Sequence, residues 1–311
     1  MPMSATLEKL LTPPALPVKG SQLSEEDKAA IAKFAAHFNA EDYTAPDGED
    51  KTTRSPLILR EYMFFTQGRI NGYYQVHGTV EKTIEAIEKT IAWRRDRNMY
   101  DIDAFAKEVE DECRNGFAHF TGFDPEGRPI IYFFPNKDIT PGAERRPLPN
   151  AFMMDRAGDF CVGDVGQVVI IQNFGGKRQG DLPSIGAATE QLSNLETHAP
   201  EVLYKLHFQQ IGWMLRGFFA LLNPVMPART AAKILKQDTA QSIKDGYFTG
   251  DELIKEIGGN VDWSYKHDEY FWPMVEASKK IRADQEKRFE ALGKPAMGVD
   301  ERLFRVAPGS A

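Results

Sequence analysis

The hydrophobic pattern is most informative between residues 198 and 236, which run HAPEVLYKLHFQQIGWMLRGFFALLNPVMPARTAAKILK. From Val202 to Ile211, apolar side chains alternate with polar ones. A period of two predicts a β-strand with two different faces. The polar positions of this predicted strand are Lys205, His207 and Gln209.

An almost wholly apolar segment, Trp213 to Leu222, follows this strand, and Arg216 is its one charged residue. As a helix, it would be apolar nearly all round, so it needs apolar neighbours on all sides or a lipid on one of them. The segment is about half as long as a membrane span, so it does not cross a bilayer. Its large side chains are Trp213, Leu215, Phe218, Phe219 and Leu222.

The chain before residue 116 has the pattern of a helical domain behind a leader. Residues 1–23 carry Pro13, Pro14 and Pro17 and predict a flexible leader. Residues 24–114 predict a small helical domain, because apolar residues recur at helical spacing, most clearly from Val80 to Ile91. Residues 66–78 contain three glycines and match no pattern clearly.

Strand and helix patterns alternate after residue 116. Residues 116–134 predict a hairpin around the turn sequence DPEG, and VVIIQNF (168–174) has the continuous apolar run of a buried parallel strand. Helices are expected at 185–197 and 251–257, and a second strand within 229–236. This alternation predicts an α/β domain with a mostly parallel sheet over residues 115–263. Residues 264–311 would form a C-terminal helix and tail.

Composition narrows the class of protein. The 311 residues carry a net charge of -7, which argues against nucleic acid as a partner. The two cysteines, Cys113 and Cys161, form no CxxC pair, which favours a reducing compartment. The first ten residues contain no hydrophobic signal region, and no apolar run has the length of a membrane span. We therefore expect a cytoplasmic protein that meets membranes, if at all, from the water side.

The motifs of common enzymes are absent from the sequence. There is no GxSxG elbow and no HExxH pair, and the six histidines lack the spacing of metal ligands. The sequence therefore predicts no enzyme, no metal and no cofactor. Glu201 precedes the apolar segment, and Lys233 follows it. The two charges form either a simple surface pair or the polar mouth of an apolar cavity.

Several motifs together resemble the CRAL-TRIO family, specifically its phosphatidylinositol-transfer branch. The resemblance covers roughly residues 57–272. The motifs that carry it are the end of the helical region from Thr83 to Arg94, TGFDPEGRPIIYFFP (121–135), VVIIQNFGG (168–176), the Pro-Glu to Lys-Ile stretch at 199–234, and LIKEIGGNVDW (253–263).

The resemblance implies a helical N-terminal domain and an α/β domain whose apolar lipid cavity is closed by a mobile gate helix. By position, it implies that Trp213 to Leu222 form the gate helix. It also implies that Glu201, Thr230 and Lys233 bind the phosphatidylinositol headgroup. A buried phosphate requires such a cation and donors. The implied function is that of a soluble phospholipid-transfer protein, peripheral to membranes only transiently, whose ligand is the bound lipid.

Two departures from the family pattern keep alternatives open. The family usually has a basic segment before residue 79, where this chain has YYQVHGT with His77 as the nearest substitute. If His207 and Gln209 face the cavity, the ligand differs from a phosphoinositide. If these side chains face a helix layer or solvent, the expected ligand stays the same. The alternatives are a carrier of a smaller apolar ligand, such as an isoprenoid or sterol-like molecule, and a regulatory interaction module with a degenerate lipid pocket.

Overall fold

The structure is a computed structural model, and it describes residues 3–15, 23–140, 142, 147–180, 185–213, 216–217, 226 and 228–307. The α-helices of these residues are α1 (Ala5–Leu10), α2 (Glu25–Phe38), α3 (Leu59–Phe64), α4 (Gln67–His77), α5 (Val80–Asp96), α6 (Ile102–Cys113), α7 (Pro147–Asp159), α8 (Ile185–His198), α9 (Ala228–Ala231), α10 (Thr239–Lys244) and α11 (His267–Ala291). The strands are β1 (Ala45–Pro46), β2 (Arg54–Ser55), β3 (Ala118–Phe123), β4 (Pro129–Phe133), β5 (Val168–Asn173), β6 (Leu203–Gln209) and β7 (Ile234–Lys236).

The main sheet has five strands in the order β3-β4-β5-β6-β7. β3 and β4 form an antiparallel hairpin, whereas β4, β5, β6 and β7 pair in parallel. Parallel neighbours require a crossover connection, and α7 and α8 lie in the connections that lead to β5 and β6. The predicted mixed α/β fold with a mostly parallel sheet is confirmed.

The sheet is covered on both faces, which is why the apolar run of β5 is continuous rather than alternating. Side chains on one face pack with α6, α7 and α11 in the largest core cluster, which includes Phe105, Phe120, Phe152, Ile170 and Phe271. Side chains on the opposite face pack with the segment that follows α10, in a cluster that includes Tyr132, Ile171, Phe248, Leu253 and Ile257. Two apolar layers thus hold the strands between them.

The N-terminal helices α2, α4 and α5 share a separate apolar core, which includes Phe34, Phe38, Ile70, Ile87 and Ile91. Buried polar contacts join this core to the sheet part. The hydroxyl of Tyr73 in α4 donates to the carbonyl of His198 at 2.9 Å. Arg94 of α5 donates two hydrogen bonds to the carboxylate of Asp155 in α7, at 3.1 and 2.5 Å. The two parts of the chain are therefore tied by specific side-chain contacts.

The predicted flexible leader is wrong for residues 3–15, because α1 forms there. Ser4 caps this helix by accepting a hydrogen bond from the backbone of Leu7 at 3.2 Å. Leu7 and Leu11 are buried in the largest core cluster. With Leu10 they have the i, i+3, i+4 spacing of one helix face, and the first proline that suggested flexibility is Pro13. Residues 16–22 lie outside the described residues.

Two other segments differ from the sequence predictions, and the structure also defines residues 66–78, which match no pattern clearly. The glycine-containing residues 66–78 form α4, which ends at Gly78 with a positive φ of 74°. The stretch expected as a strand within 229–236 divides into α9 and the short β7, because only 234–236 pair with β6. The helix expected at 251–257 is instead two single 3₁₀ turns, Gly250–Glu252 and Lys255–Ile257. The second turn ends at Gly258, whose φ of 94° favours glycine.

Candidate functional site

Glu201 occupies a strained turn at the start of β6. Its φ of 61° lies in the left-handed region, which is uncommon for a residue other than glycine and costs roughly 1 kcal/mol. Its carbonyl accepts a hydrogen bond from Gln167 at 3.1 Å. Gly72 of α4 packs on this turn so closely that an added Cβ would lie 3.0 Å from the carbonyl oxygen of Pro200. The turn is thus fixed from two sides, and it presents the Glu201 side chain.

The carboxylate of Glu201 binds two cations. Its Oε2 lies 2.8 Å from Nζ of Lys233, and its Oε1 lies 3.0 Å from a guanidinium nitrogen of Arg229. Arg229 also donates to the backbone carbonyl of Gln75 at the end of α4, at 3.1 Å. Two positive charges on one carboxylate leave one net positive charge, so the cluster remains attractive to an anion.

The hydroxyl of Thr230 lies in the same short helix, α9, and donates to Oε1 of Glu196 in α8 at 2.5 Å. Thr230 is 9% exposed. The structure therefore brings Glu201 and Lys233 into direct contact, whereas Thr230 bonds a different carboxylate. Arg229 was not predicted as a site residue from the sequence, and it is the second cation that pairs with Glu201.

His207 and Gln209 lie on the sheet face that α10 covers. Nδ1 of His207 lies 3.0 Å from the Ser242 hydroxyl, and Gln209 donates to the Thr239 hydroxyl at 2.9 Å. Asn173 of β5 donates to Oε1 of Gln209 at 3.1 Å. Burial lowers the pKa of His207 to about 4, so the ring is neutral at physiological pH. Both polar side chains thus belong to the helix layer, one of the two placements considered above.

The opposite face of β6 is apolar, because successive side chains of a strand point to opposite faces. There Phe208 packs with Phe174, which follows β5, in a small cluster separate from the main cores. Leu206, Ile211 and Ile234 are partly buried against these two rings. This apolar cluster lies on the part of the sheet that leads directly into the segment after Gly212.

The predicted gate segment is described only in part. Trp213 is 83% exposed, which is exceptional for an indole side chain. The other large apolar residues selected from the sequence, Leu215, Phe218, Phe219 and Leu222, lie outside the described residues. The placement of a gate on residues 213–222 stays a prediction.

The part of the chain that the structure describes contains no group of three or more His, Cys, Asp or Glu residues that could hold a metal ion. It also contains no helix long and apolar enough to cross a membrane. Both cysteines are buried as free thiols. Burial raises the pKa of Cys161 to about 11, which keeps this thiol protonated.

A cavity of about 760 Å³ adjoins the Glu201 cluster. Glu201, Arg229 and Gly72 line part of it, and Arg69 and Arg305 line another part. Sequence inspection does not select Arg229 or these two arginines. Arg229 is an extra cation immediately before Thr230, but only the fold places it against Gln75, 154 positions earlier in the chain.

Comparisons with known proteins support the sequence resemblance. Residues 114–259 match the family model of the CRAL/TRIO domain. A CRAL-TRIO domain-containing protein of Schizosaccharomyces pombe is 26% identical over 249 residues, which cover 80% of this chain and 24% of that protein. The phosphatidylinositol transfer protein PDR17 of Saccharomyces cerevisiae is 23% identical over 288 residues, which cover 87% of this chain and 81% of PDR17.

The fold has a counterpart among solved structures. The crystal structure of Sfh5 matches with a TM-score of 0.51 at 12% sequence identity, covering 85% of this chain and 100% of that one. At this identity the match shows the fold alone. All five strands of the main sheet lie within the matched residues 114–259. The chain therefore contains a CRAL/TRIO domain, as its motifs predict, whereas the phosphatidylinositol-transfer branch stays a prediction.

Proposed function

We propose that this protein binds a phospholipid and exchanges it with a membrane surface, and that phosphatidylinositol is the lipid. The observation that carries the proposal is the pair of cations, Lys233 and Arg229, on the single carboxylate of Glu201. Their one excess positive charge matches the single negative charge of a phosphodiester. A simple structural ion pair needs only one cation.

In this proposal the phosphate of the headgroup binds Lys233 and Arg229, and Glu201 accepts hydrogen bonds from the inositol hydroxyls. Thr230 lies beside Arg229 in α9 and turns its hydroxyl from Glu196 to the phosphate. The side chains of Lys233 and Glu201 are 19% and 31% exposed, so the site is partly shielded from water yet open to a ligand. Hydrogen bonds that involve charged groups contribute about 1.5–3 kcal/mol each in such sites.

The acyl chains require an apolar environment, and in the proposal they lie against the cluster around Phe208 and Phe174, whose rings are buried in this structure. His207 and Gln209 lie on the other face of β6, so they do not place polar groups on this surface. The segment after Gly212 begins with the exposed Trp213 and is the proposed gate and membrane contact. An indole with an apolar body and a polar N–H suits a membrane interface.

The similarity to a phosphatidylinositol transfer protein over 87% of this chain supports the choice of headgroup. The family usually has basic residues in the segment that corresponds to 73–79, and this chain lacks them. In the proposal, Arg229 supplies the missing positive charge. Its guanidinium bonds the carbonyl of Gln75 and so lies at the segment in which the family usually carries its basic residues.

The test is transfer of labelled phosphatidylinositol and phosphatidylcholine between vesicles by the wild type and by Lys233→Ala and Glu201→Gln. We expect each variant to lose phosphatidylinositol transfer by roughly tenfold to a hundredfold, because each loses charged hydrogen bonds. Glu201→Gln should change phosphatidylcholine transfer little, because phosphatidylcholine carries the phosphodiester but none of the inositol hydroxyls that are proposed to bind Glu201. Lys255→Ala is the matched control, since Lys255 forms an exposed ion pair with Asp262 away from the site.

Melting temperatures distinguish the structural interpretation from the proposed one. If Lys233→Ala lowers stability and the transfer of both lipids alike, Glu201 and Lys233 are merely a structural pair. Unchanged transfer of both lipids would exclude phosphatidylinositol as the proposed ligand of this site. It would favour a carrier of a smaller apolar ligand. A stable wild type that captures no lipid from mixed vesicles would favour the interaction module.

A further inference from the structure

A groove with a volume of about 660 Å³ runs along α11, where residues from Trp272 to Arg288 line it. Residues of α1 and the segment 159–162 line it as well. Ala277 and Ile281 of α11 are half-buried in this groove, so part of its wall is apolar. No residue of the Glu201 cluster lines the groove, and the proposed lipid exchange does not use it.

Four charged side chains of α11 follow one another along this groove at a spacing of four residues. They are Glu276, Lys280, Asp284 and Arg288, and all of them line the groove. Residues four apart are neighbours on a helix and form one ridge of its surface. Along this α11 ridge the charges alternate in sign, beginning with a carboxylate and ending with a guanidinium.

The cations of the α11 ridge are unpaired within the described part of the chain. Lys280 lies one turn from Glu276 and one turn from Asp284, yet no described carboxylate oxygen lies within 4.0 Å of its Nζ, and the same holds for the guanidinium of Arg288. The two carboxylates pair instead with lysines three residues further along the helix, at 3.0 and 3.8 Å, in exposed positions. Exposed pairs of this kind contribute little to stability, so the ridge remains able to pair with charges of another molecule.

The α11 ridge is complementary to a second copy of itself in the antiparallel direction. If Arg282 lies on a twofold axis, Glu276 lies opposite Arg288 of the second copy, and Lys280 lies opposite Asp284 of the second copy. The axis repeats both pairs, because each contact of a twofold interface occurs twice. All four contacts therefore join opposite charges. Interdigitation of the ridges formed by residues four apart is the commonest way in which two helices pack.

The neighbouring charges are compatible with this arrangement. The same axis places Lys279 opposite Gln285 of the second copy and Lys287 opposite Ala277 of the second copy, so neither lysine meets a like charge. Arg282 itself is 8% exposed, and its guanidinium lies 2.6 Å from a buried carboxylate of its own chain, so it does not meet its counterpart on the axis. A parallel arrangement in register would instead place each ridge charge against its own kind.

We propose that the α11 ridge is a self-association surface, on which a second copy of this chain packs its own α11 in the antiparallel direction. Charge complementarity sets the direction and the register, and the half-buried Ala277 and Ile281 beside the ridge lose their remaining contact with water. The proposal does not rest on phosphatidylinositol transfer, because neither Glu201 nor its two cations line the groove.

The test measures the mass of the full chain by sedimentation velocity over a range of protein concentrations. The wild type should form a dimer as the concentration rises, and added salt should weaken the dimer, since salt screens exposed charges. Glu276→Lys and Arg288→Glu each place two pairs of like charges across the axis. Each variant should weaken self-association by roughly tenfold to a hundredfold, because like charges that face each other in an interface are unfavourable.

An equimolar mixture of Glu276→Lys and Arg288→Glu isolates the contact between the copies. In the mixed dimer, the new lysine of one chain meets the new carboxylate of the other, and the unchanged Arg288 meets the unchanged Glu276. All pairs are again of opposite sign, so the mixture should dimerise although neither variant does so alone. Mixing cannot restore an effect that arises within one chain.

Lys266→Glu is the matched control, because it reverses a charge directly before α11, where Lys266 pairs with the exposed Glu269 and does not line the groove. It should dimerise as the wild type does, and melting curves establish that each variant is folded. A wild type that stays monomeric at every concentration overturns the proposal. So does a dimer that neither variant weakens, or a mixture of the two variants that stays monomeric.

Discussion

The ion pair between Arg94 and Asp155 should stabilise the junction of the helical part and the sheet part, and Asp155→Asn removes its negative charge without changing its shape. The side chains of Arg94 and Asp155 are 3% and 13% exposed. Two hydrogen bonds join them, and the Arg94 guanidinium also lies 4.1 Å from the centre of the Phe64 ring. The variant therefore leaves a buried cation without its counter-charge.

The size of the effect follows from the pKa of Asp155. Burial alone would raise the pKa of this carboxyl, but the charge and hydrogen bonds of Arg94 outweigh burial and lower the pKa from 3.8 to about 2. Such a difference between folded and unfolded chain corresponds to about 2 kcal/mol at neutral pH. Breaking a buried pair on one side costs about 3–5 kcal/mol in other proteins. We therefore expect Asp155→Asn to lower the melting temperature by roughly 5–10 °C.

The pH dependence has a defined sign. A carboxyl whose pKa is lowered by folding contributes stability above its unfolded pKa, and this contribution is lost as the pH falls through the folded pKa. The difference in stability between the wild type and Asp155→Asn should thus be full at pH 5 and shrink toward pH 2. Calorimetry or circular dichroism over this range measures it.

Asp103→Asn is the matched control, because Asp103 forms an exposed pair with Lys279 at 3.0 Å. Exposed pairs contribute about 0–1 kcal/mol. If Asp155→Asn lowers the melting temperature no more than this control does, the buried pair does not stabilise the protein. A loss of stability that is independent of pH would contradict the argument as well.

Three further predictions follow from other parts of the molecule. The double variant Phe218→Asp with Phe219→Asp should abolish lipid transfer at an unchanged melting temperature, and transfer at the wild-type rate would contradict the proposed gate. Gly72→Ala should reduce both stability, by roughly 1 kcal/mol, and phosphatidylinositol transfer, since the new Cβ would lie 3.0 Å from the carbonyl of Pro200; denaturant unfolding and the transfer assay test both. Leu7→Ala should lower the free energy of unfolding by about 2–5 kcal/mol, as for other buried leucines, and denaturant unfolding measures it. A negligible loss would support the prediction of a flexible leader.

Local patterns in the sequence were sufficient for the main elements and the family. The apolar run of β5 and the helical spacing in α5 depend only on neighbouring residues, so both were predictable. The CRAL/TRIO motifs are likewise contiguous and predicted the α/β fold. Proline composition was misleading at the N-terminus, because the apolar spacing of Leu7 and Leu11 decides whether that segment packs.

The face of a strand and the partners of a charge depend on distant parts of the chain. Alternation in β6 separated His207 and Gln209 from Leu206 and Phe208, but it did not reveal that α10 covers the polar face and supplies Ser242 and Thr239 as partners. A polar strand face is compatible with solvent, a ligand or buried hydrogen bonds, and only packing selects among them.

The charges at Glu201 and in the adjoining cavity show the same limit. Glu201 and Lys233 were recognisable from a motif, whereas Arg229 gains its place through a backbone carbonyl 154 positions away. Arg69 and Arg305, which line the adjoining cavity, lie far apart in the sequence, and nothing local relates them. Electrostatic energy depends on distance in space and on burial, not on separation along the chain. The sequence by itself therefore determined the fold and the family, and the tertiary structure decided which charges are paired and which remain available to a ligand.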